Sequence, residues 1–207
     1  MLVEVSKETS KMKKLANLIY ILFCLIAGGS SVASEEVYSE LVEYNQIYEI
    51  RYYNPVLVAE VEYSGDNGGF RALFNYISGA NNISFPKQNP SSSIKIEMTT
   101  PVTRFKQNNR NIMQFFLPKR FTLETAPLPT NPNVSIKLND GGHFAVIRFS
   151  GRASEENFLR HAKLLVERLV LDEIEYLGPA IRATYNGPFT PPFMRRNELM
   201  YKIKWSQ

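Results

Sequence analysis

The residue types that most often bind metals or act as nucleophiles are scarce in this sequence. There are two histidines, His143 and His161, and one cysteine, Cys24. Neither histidine lies in a ligand motif: His143 follows an Asp-Gly-Gly turn, and His161 interrupts an apolar helical stripe, where a partly buried packing role is expected. Cys24 lies in an apolar N-terminal run. The rest of the chain therefore has no means of forming disulfides, thiolate metal sites or covalent Cys-x-x-Cys-His cofactor links.

Sequence motifs that specify an enzyme are also missing. The chain has no Gly-x-Ser-x-Gly elbow, His-Glu-x-x-His helix, phosphate-binding loop or dinucleotide fingerprint. Its acidic residues do not pair into a catalytic couple by spacing alone. We therefore expect no enzymatic activity, with an enzyme that modifies a bound ligand as the less favoured alternative.

The N-terminal segment has the pattern of a secretory signal peptide. Three lysines between positions 11 and 14 precede an apolar run, residues 15–27, and small residues follow as far as Ser34. The run is shorter than the roughly 20 apolar residues that a membrane-spanning helix needs. We predict a signal peptide over residues 1–34, cleaved near Ser34-Glu35, with an uncleaved anchor as the alternative. In both cases the folded part is exported, to a periplasm or to the exterior.

Size and charge favour one domain that does not bind nucleic acid. A chain of 207 residues with 44% apolar content can bury one sizeable core, so residues 35–207 are predicted to form a single domain. Of the net charge of +4, the first 34 residues contribute +2 and the remainder +2. No basic stripe or zinc-finger spacing accompanies this small charge. After signal cleavage we expect no stable membrane association, and the oligomeric state is left open.

A short motif recurs and each copy precedes a helical pattern. Val-Glu-Tyr-Ser-Gly at 61–65 is echoed by Ile-Arg-Phe-Ser-Gly at 147–151. After the first copy, apolar residues at i, i+3, i+4 and i+7 predict a helix that ends near residues 78–79. After the second copy, a similar stripe predicts a longer helix, with Ser154 as N-cap and two glutamates in its first turn.

The remaining segments are rich in β-formers and are separated by turn residues. Strands are predicted at residues 44–52, 56–63, 94–105, 111–117, 135–138, 143–150, 181–185 and 198–205. Together with the two helices they predict an α+β fold of duplicated strand-helix-strand-strand units, whose strands form a curved, barrel-like sheet with both helices outside.

Three motifs in one order carry a resemblance to a known family. They are Tyr-Glu-Ile-Arg-Tyr-Tyr at 48–53, Glu-Met-Thr-Thr-Pro-Val at 97–102, and Tyr-Asn-Gly-Pro-Phe at 185–189 followed by Arg-Arg-Asn-Glu at 195–198. Across residues 43–204 the chain resembles the SOUL heme-binding family. The resemblance implies a duplicated α+β barrel related to bacterial effector-binding domains. It also implies non-covalent binding of b-type heme, or of another porphyrin, in an apolar groove.

A flat macrocycle needs a wide apolar slot and a few cationic groups for its propionates. The predicted slot combines helix one, the strands facing it and the C-terminal loop, through Leu73, Phe74, Ile77, Met98, Met113, Phe115, Tyr185 and Phe189. Ordinary core packing is the alternative role for each of these residues. Tyr185 matches a tyrosine that members of the family place at the groove. The metal ligand is unknown, and Arg71 and Lys95 are candidate partners for the propionates.

Several charged residues allow two interpretations. The segment 195–198 is either an anion clamp or a structural Arg–Glu pair, and we favour the structural role. Glu97 is predicted to be buried and to hold the turn at 99–101. An apolar or cationic effector in place of heme would need an acidic lining, but strand alternation puts Glu60 and Glu62 on one face, most simply the solvent face.

Overall fold

A computed structural model describes residues 33–35, 39–65, 68–83 and 92–206. These residues form two α-helices, a short 3-10 helix at Pro192–Met194 and thirteen strands. The helices are α1 (Gly68–Ile77) and α2 (Glu155–Leu171). The strands are β1 (Ser34–Glu35), β2 (Ser39–Tyr44), β3 (Glu49–Tyr53), β4 (Val56–Tyr63), β5 (Asn81–Asn82), β6 (Thr99–Thr100), β7 (Val102–Gln107), β8 (Arg110–Phe116), β9 (Leu128–Pro129), β10 (Val134–Asn139), β11 (Gly142–Phe149), β12 (Tyr176–Thr184) and β13 (Asn197–Ile203).

Nine of these strands form one antiparallel sheet in the order β10-β4-β8-β7-β12-β13-β11-β3-β2. Its two outer strands, β10 and β2, do not pair with each other, so the sheet is open. The predicted α+β class with one large sheet and two helices is confirmed, whereas the expected barrel-like closure is not found among the described strands. The internal duplication stays a prediction.

Both predicted helices are present, and each buries part of its apolar stripe, although Phe70 and Phe74 of the α1 stripe are 43% and 48% exposed. In α1 the stripe residues Leu73 and Ile77 are buried. In α2 the side chain of Ser154 accepts a hydrogen bond from the backbone N–H of Asn157 at 3.3 Å, and Glu155 is the first helical residue. Ser154 therefore satisfies one of the N–H groups that the first turn leaves unpaired.

The two helices cover the same face of the sheet, over adjacent apolar cores. Arg104 of β7 lies opposite Met113, which belongs to the core under α1. Arg104 also lies opposite Arg182 of β12, and Arg182 lies opposite Leu199, which belongs to the core under α2. Directly opposed residues on neighbouring strands point to the same face. The part of this face formed by β7 and β12 therefore lies between the two helices.

Most predicted strands match observed ones within a few residues, but two do not. The single strand predicted at 44–52 is wrong, because the chain turns at Asn45, whose side chain accepts the backbone N–H groups of Ile47 and Tyr48 at 2.9 Å each. The strand predicted at 94–105 is also wrong, since only two short parts of it pair, β6 and β7. An Asx turn competes locally with strand pairing, and residue propensities do not show which wins.

Neither of the two described helices is long and apolar enough to span a bilayer. The predicted leader, residues 1–34, lies outside the described residues apart from Ala33 and Ser34. Ser34 begins β1, which pairs in parallel with β6. The backbone N–H of Ser34 donates a hydrogen bond to the backbone carbonyl of Met98 at 2.9 Å.

Candidate ligand-binding groove

Five of the eight predicted site residues lie together in the core under α1. They are Leu73, Ile77, Met98, Met113 and Phe115. All are buried except Met98, which is partly buried against the same cluster. Their side chains pack between α1 and the strands β4 and β8, the arrangement expected of core residues.

The other three predicted residues are not part of that core cluster. Phe74 is 48% exposed and stacks on Phe70 with ring centroids 5.9 Å apart. Tyr185 packs with a cluster on the opposite face of the sheet, and Phe189 is 98% exposed. The structure therefore does not gather all eight residues around one cavity.

A groove of about 570 Å³ lies on the helix-covered face, over the strands β7 and β12 that separate the two helices, and none of its described lining residues belongs to α1. Its walls are the end of β4, the first turn of α2, and the strands β7 and β12. Tyr63, Phe158, Pro179 and Ala180 supply apolar and aromatic lining. We call it the inter-helix groove. Phe70 of α1 packs edge-on against Phe115, which belongs to the core under α1. The exposed rings of Phe70 and Phe74 therefore lie on the same face of the sheet as the groove, beside α1.

Three cationic side chains line the inter-helix groove: Arg104, Lys106 and Arg182. Arg104 and Arg182 are directly opposed on neighbouring strands, an arrangement that repels like charges. Arg182 forms two hydrogen bonds with the carboxylate of Glu155. Arg104 makes no side-chain hydrogen bond or ion pair with the described residues. Such a concentration of positive charge beside aromatic lining attracts an anionic ligand.

Glu155 is the one acidic side chain among the described residues along this groove. Its hydrogen bonds with Arg182 lower the pKa of the carboxyl group below its ordinary value, and the charges of Arg182 and Lys106 add to the effect. The ionised form is therefore favoured.

The three cations were missed in the sequence, although one signal for them exists. Arg104 and Lys106 alternate along β7, so they share a face, as period-2 spacing predicts. What brings Arg182 to them is the pairing of β7 with β12, which joins residues 78 positions apart. The candidates proposed from sequence, Arg71 and Lys95, are both exposed and lie outside the groove lining.

On the opposite face, a buried ionic network surrounds Glu198. This carboxylate is fully buried and accepts hydrogen bonds from Arg51 at 3.0 and 3.2 Å, from the Tyr185 hydroxyl at 2.7 Å and from Arg196 at 3.0 Å. Burial alone would raise the pKa of Glu198, but the charge and hydrogen bonds of Arg51 lower it, assisted by Tyr185 and Arg196. We call these residues the Glu198 network.

The Glu198 network supports the structural interpretation of residues 195–198. Arg196 pairs with Glu198 and lies 3.8 Å from the centre of the Tyr185 ring, while Arg195 donates to the carbonyls of Pro188 and Thr190. Burial and the nearby charge of Glu198 raise the pKa of the Tyr185 phenol. That hydroxyl is held within the protein.

Two expectations about acidic residues need correction. Glu97 is exposed and pairs with Arg120, so its predicted burial is wrong. Glu60 shares a face with Glu62 as predicted, but Glu60 is only 8% exposed and accepts from Gln114 at 2.8 Å. The neighbouring strand β10 places Lys137 beside it, which compensates the buried charge.

Neither histidine has the setting of a metal ligand. His161 stacks on Phe149 at 3.8 Å and its Nδ1 lies 2.7 Å from the carbonyl of Asn157, and His143 packs edge-on against Tyr52. Within the described residues, no group of three or more His, Cys, Asp or Glu side chains gathers as a metal site. Among the described residues along the inter-helix groove, Tyr63 alone is of a type that ligates heme iron.

An open antiparallel sheet with two helices and a cationic groove on one face defines an α+β domain suited to a small anionic ligand. A family model narrows this class: the chain belongs to the SOUL heme-binding protein family, whose model matches residues 34–202. The resemblance found in the sequence motifs is thereby confirmed. No curated protein matches the chain in sequence.

Solved structures share the fold at low identity. A hydrolase from Listeria innocua superposes with a TM-score of 0.55 and 10% identity, covering 78% of this chain and 94% of that chain. The EcmrR C-terminal domain superposes with a TM-score of 0.53 and 11% identity, covering 76% and 96%. At such identities the similarity concerns the fold alone.

Proposed function

We propose that this protein binds heme or a related tetrapyrrole non-covalently, in the inter-helix groove. The observation that carries the proposal is the combination of aromatic lining and three cations, Arg104, Lys106 and Arg182, in a member of a heme-binding family. A planar ligand with carboxylate side chains requires both features.

The groove suits such a ligand in size and chemistry. Its volume of about 570 Å³ lies within the roughly 300–1,000 Å³ typical of small-molecule sites. Tyr63 offers apolar contact to a flat ring, whereas Phe158 is only 3% exposed and lies under the Arg182 guanidinium. The guanidinium of Arg104 is free to form a bidentate contact with a carboxylate. Bound heme would supply a redox-active iron, while the chain's own part is to hold the macrocycle and to bind its carboxylates.

Binding is proposed to depend more on the ring and its carboxylates than on iron. Tyr63 is the one described groove residue of a ligating type, and both histidines are engaged in packing elsewhere. Metal-free protoporphyrin is therefore expected to bind with an affinity within a few-fold of that of hemin. A cationic effector, the alternative considered from the sequence, is disfavoured in this groove by the same three positive charges.

The test is a titration of the full chain with hemin, followed by Soret absorbance and by the fluorescence of the single tryptophan. We expect saturable one-to-one binding. Arg104→Gln should weaken it about tenfold, the value of one charged hydrogen bond. Arg110→Gln is the matched control, because it removes the same charge from an exposed pair with Glu62 outside the inter-helix groove.

Unsaturable adsorption, or equal weakening by both substitutions, would contradict the proposed site. The ligand recovered after binding should have an unchanged mass and spectrum. A ligand that changes with time would instead indicate the enzymatic alternative.

A further inference from the structure

We propose, on the basis of the proposed function, that Glu155 is an internal competitor for the ligand's carboxylate and so determines which ligands the inter-helix groove accepts. Glu155 forms an ion pair with Arg182, one of the three groove cations. A ligand carboxylate must displace it to use that cation.

The geometry of the pair is that of a bound carboxylate. Both oxygens of Glu155 accept from the two terminal nitrogens of Arg182, with Oε1 and Nη2 2.6 Å apart. The guanidinium lies over the ring of Phe158, 5.4 Å from its centre, at the apolar wall of the groove. Arginine recognises carboxylates through bidentate hydrogen bonds from its guanidinium, whether the carboxylate belongs to a side chain or to a ligand.

This ion pair is not needed to begin α2. Ser154 already caps the helix, and Glu156 supplies a second acidic side chain to the same turn. The side chain of Glu155 is 64% exposed, and exposed ion pairs contribute little to stability. The carboxylate of Glu155 is therefore free to leave Arg182 at small cost to the fold.

The surroundings of Glu155 explain why it would act as a competitor. Arg104 lies directly opposite Arg182 and Lys106 lines the same groove, so the site has more positive charge than one carboxylate neutralises. A first ligand carboxylate is attracted to Arg104 and Lys106. A second one meets Arg182 already occupied and is repelled by the charge of Glu155. Dicarboxylate ligands bind in the groove, but Glu155 lowers their affinity.

The experiment compares the hemin affinity of the wild-type full chain with the hemin affinities of the Glu155→Gln and Glu156→Gln variants. The two substitutions remove the same charge from adjacent residues of one helical turn, but Glu156 is outside the groove lining. Glu155→Gln should bind hemin about three- to tenfold tighter, and Glu156→Gln should match the wild type. The dimethyl ester of protoporphyrin, which lacks ionised carboxylates, should gain nothing from Glu155→Gln. In an Arg182→Gln background the gain should become smaller, because there is then no guanidinium to release and only the repulsion by the Glu155 charge is removed.

Equal hemin affinity of the wild type and Glu155→Gln would overturn the competitor role while leaving heme binding itself intact. Equal tightening for hemin and for the diester would overturn it as well, since the effect would then not involve carboxylates. A wild-type chain that fails to bind hemin would refute the proposed function and this inference together.

Discussion

Glu198 is the residue on which the most charge converges in the described part of the chain. Two guanidiniums, from Arg51 and Arg196, and one phenol, from Tyr185, donate to a carboxylate with no exposed surface. Such an arrangement contributes little net stability compared with an apolar one, but removing Glu198 takes the fully buried counter-charge from Arg51 and Arg196, which keep Glu49 and Glu35 as partners. Arg51 lies in β3, Glu198 lies in β13 and Tyr185 directly follows β12, so the network links β3 to β13 across the intervening strand β11.

Replacing Glu198 by glutamine is expected to lower the free energy of unfolding by about 1.5–3 kcal/mol at neutral pH, because the buried charged hydrogen bonds to Glu198 are lost while Arg51 keeps its pair with Glu49 and Arg196 its pair with Glu35. Urea denaturation measures this change. Glu62→Gln is the control: its pair with Arg110 is exposed, and the expected change is below about 1 kcal/mol. Comparable losses in the two variants would contradict the central position of Glu198.

The same variant has a predictable pH dependence. The pKa of Glu198 is lower in the folded protein than its ordinary value of 4.5, so the ionised carboxylate stabilises the fold above that value. The contribution is lost as the pH falls through the lowered pKa. The stability gap between the wild type and Glu198→Gln should therefore be constant near neutrality and narrow below about pH 4.5. A gap that persists unchanged in acid would show that ionisation of Glu198 is not its cause.

At the scale of elements, the start of α1 fixes one wall of the groove. Gly69 is buried in the first turn, and a Cβ atom there would lie 2.9 Å from Cγ of Tyr63, the tyrosine that lines the groove. At the neighbouring Gly68 a Cβ atom would meet nothing within 4 Å. Close packing of helix against strand therefore requires glycine at one position and not at the other.

Gly69→Ala should displace the Tyr63 ring, lower stability by about 1–3 kcal/mol and weaken hemin binding. Gly68→Ala should be neutral or stabilising by up to about 1 kcal/mol, since alanine favours helix. Thermal unfolding and the hemin titration together measure both effects. If Gly69→Ala binds hemin as tightly as Gly68→Ala does, Tyr63 does not position the ligand.

On the scale of the whole molecule, the sheet joins two helix-covered cores through one strand pair. The register between β7 and β12 extends over three residue pairs, and it places Arg104 opposite Arg182 at the base of the groove. The groove thus exists because two separately packed cores, one under each helix, stop short of each other. A ligand bound there would contact both halves of the domain.

Export is a proposal of the same scale, and it concerns residues 1–34. In a host with a secretory pathway, the purified protein should have the mass of a chain that begins near Glu35. A charged segment, a short apolar run and small residues direct cleavage between Ser34 and Glu35. Mass spectrometry of the soluble and membrane fractions measures this. The full mass found in the membrane fraction would support the uncleaved anchor.

The sequence by itself determined part of the local structure, although not the turn at Asn45. Periodicity located both helices, Ser154 marked the start of α2, and Asn108 and Asn109 with their positive φ angles of 49° and 62° occupy the predicted turn between β7 and β8. The family motifs also identified the protein class, since three short motifs in one order depend only on the chain. The helices and turns depend on interactions between residues a few positions apart in the sequence, so the spacing of residue types predicts them.

The tertiary structure alone decided which side chains share a site. The predicted groove residues Met113 and Phe115 are core, Tyr185 belongs to the Glu198 network on the opposite face, and the groove cations Arg104 and Arg182 meet only through strand pairing. Alternation along a strand shows that two residues share a face, but it does not say which strand lies next to it or which face a helix covers. Those relations are set by long-range packing of apolar surface, so the groove between the helices became visible only once the sheet order was known.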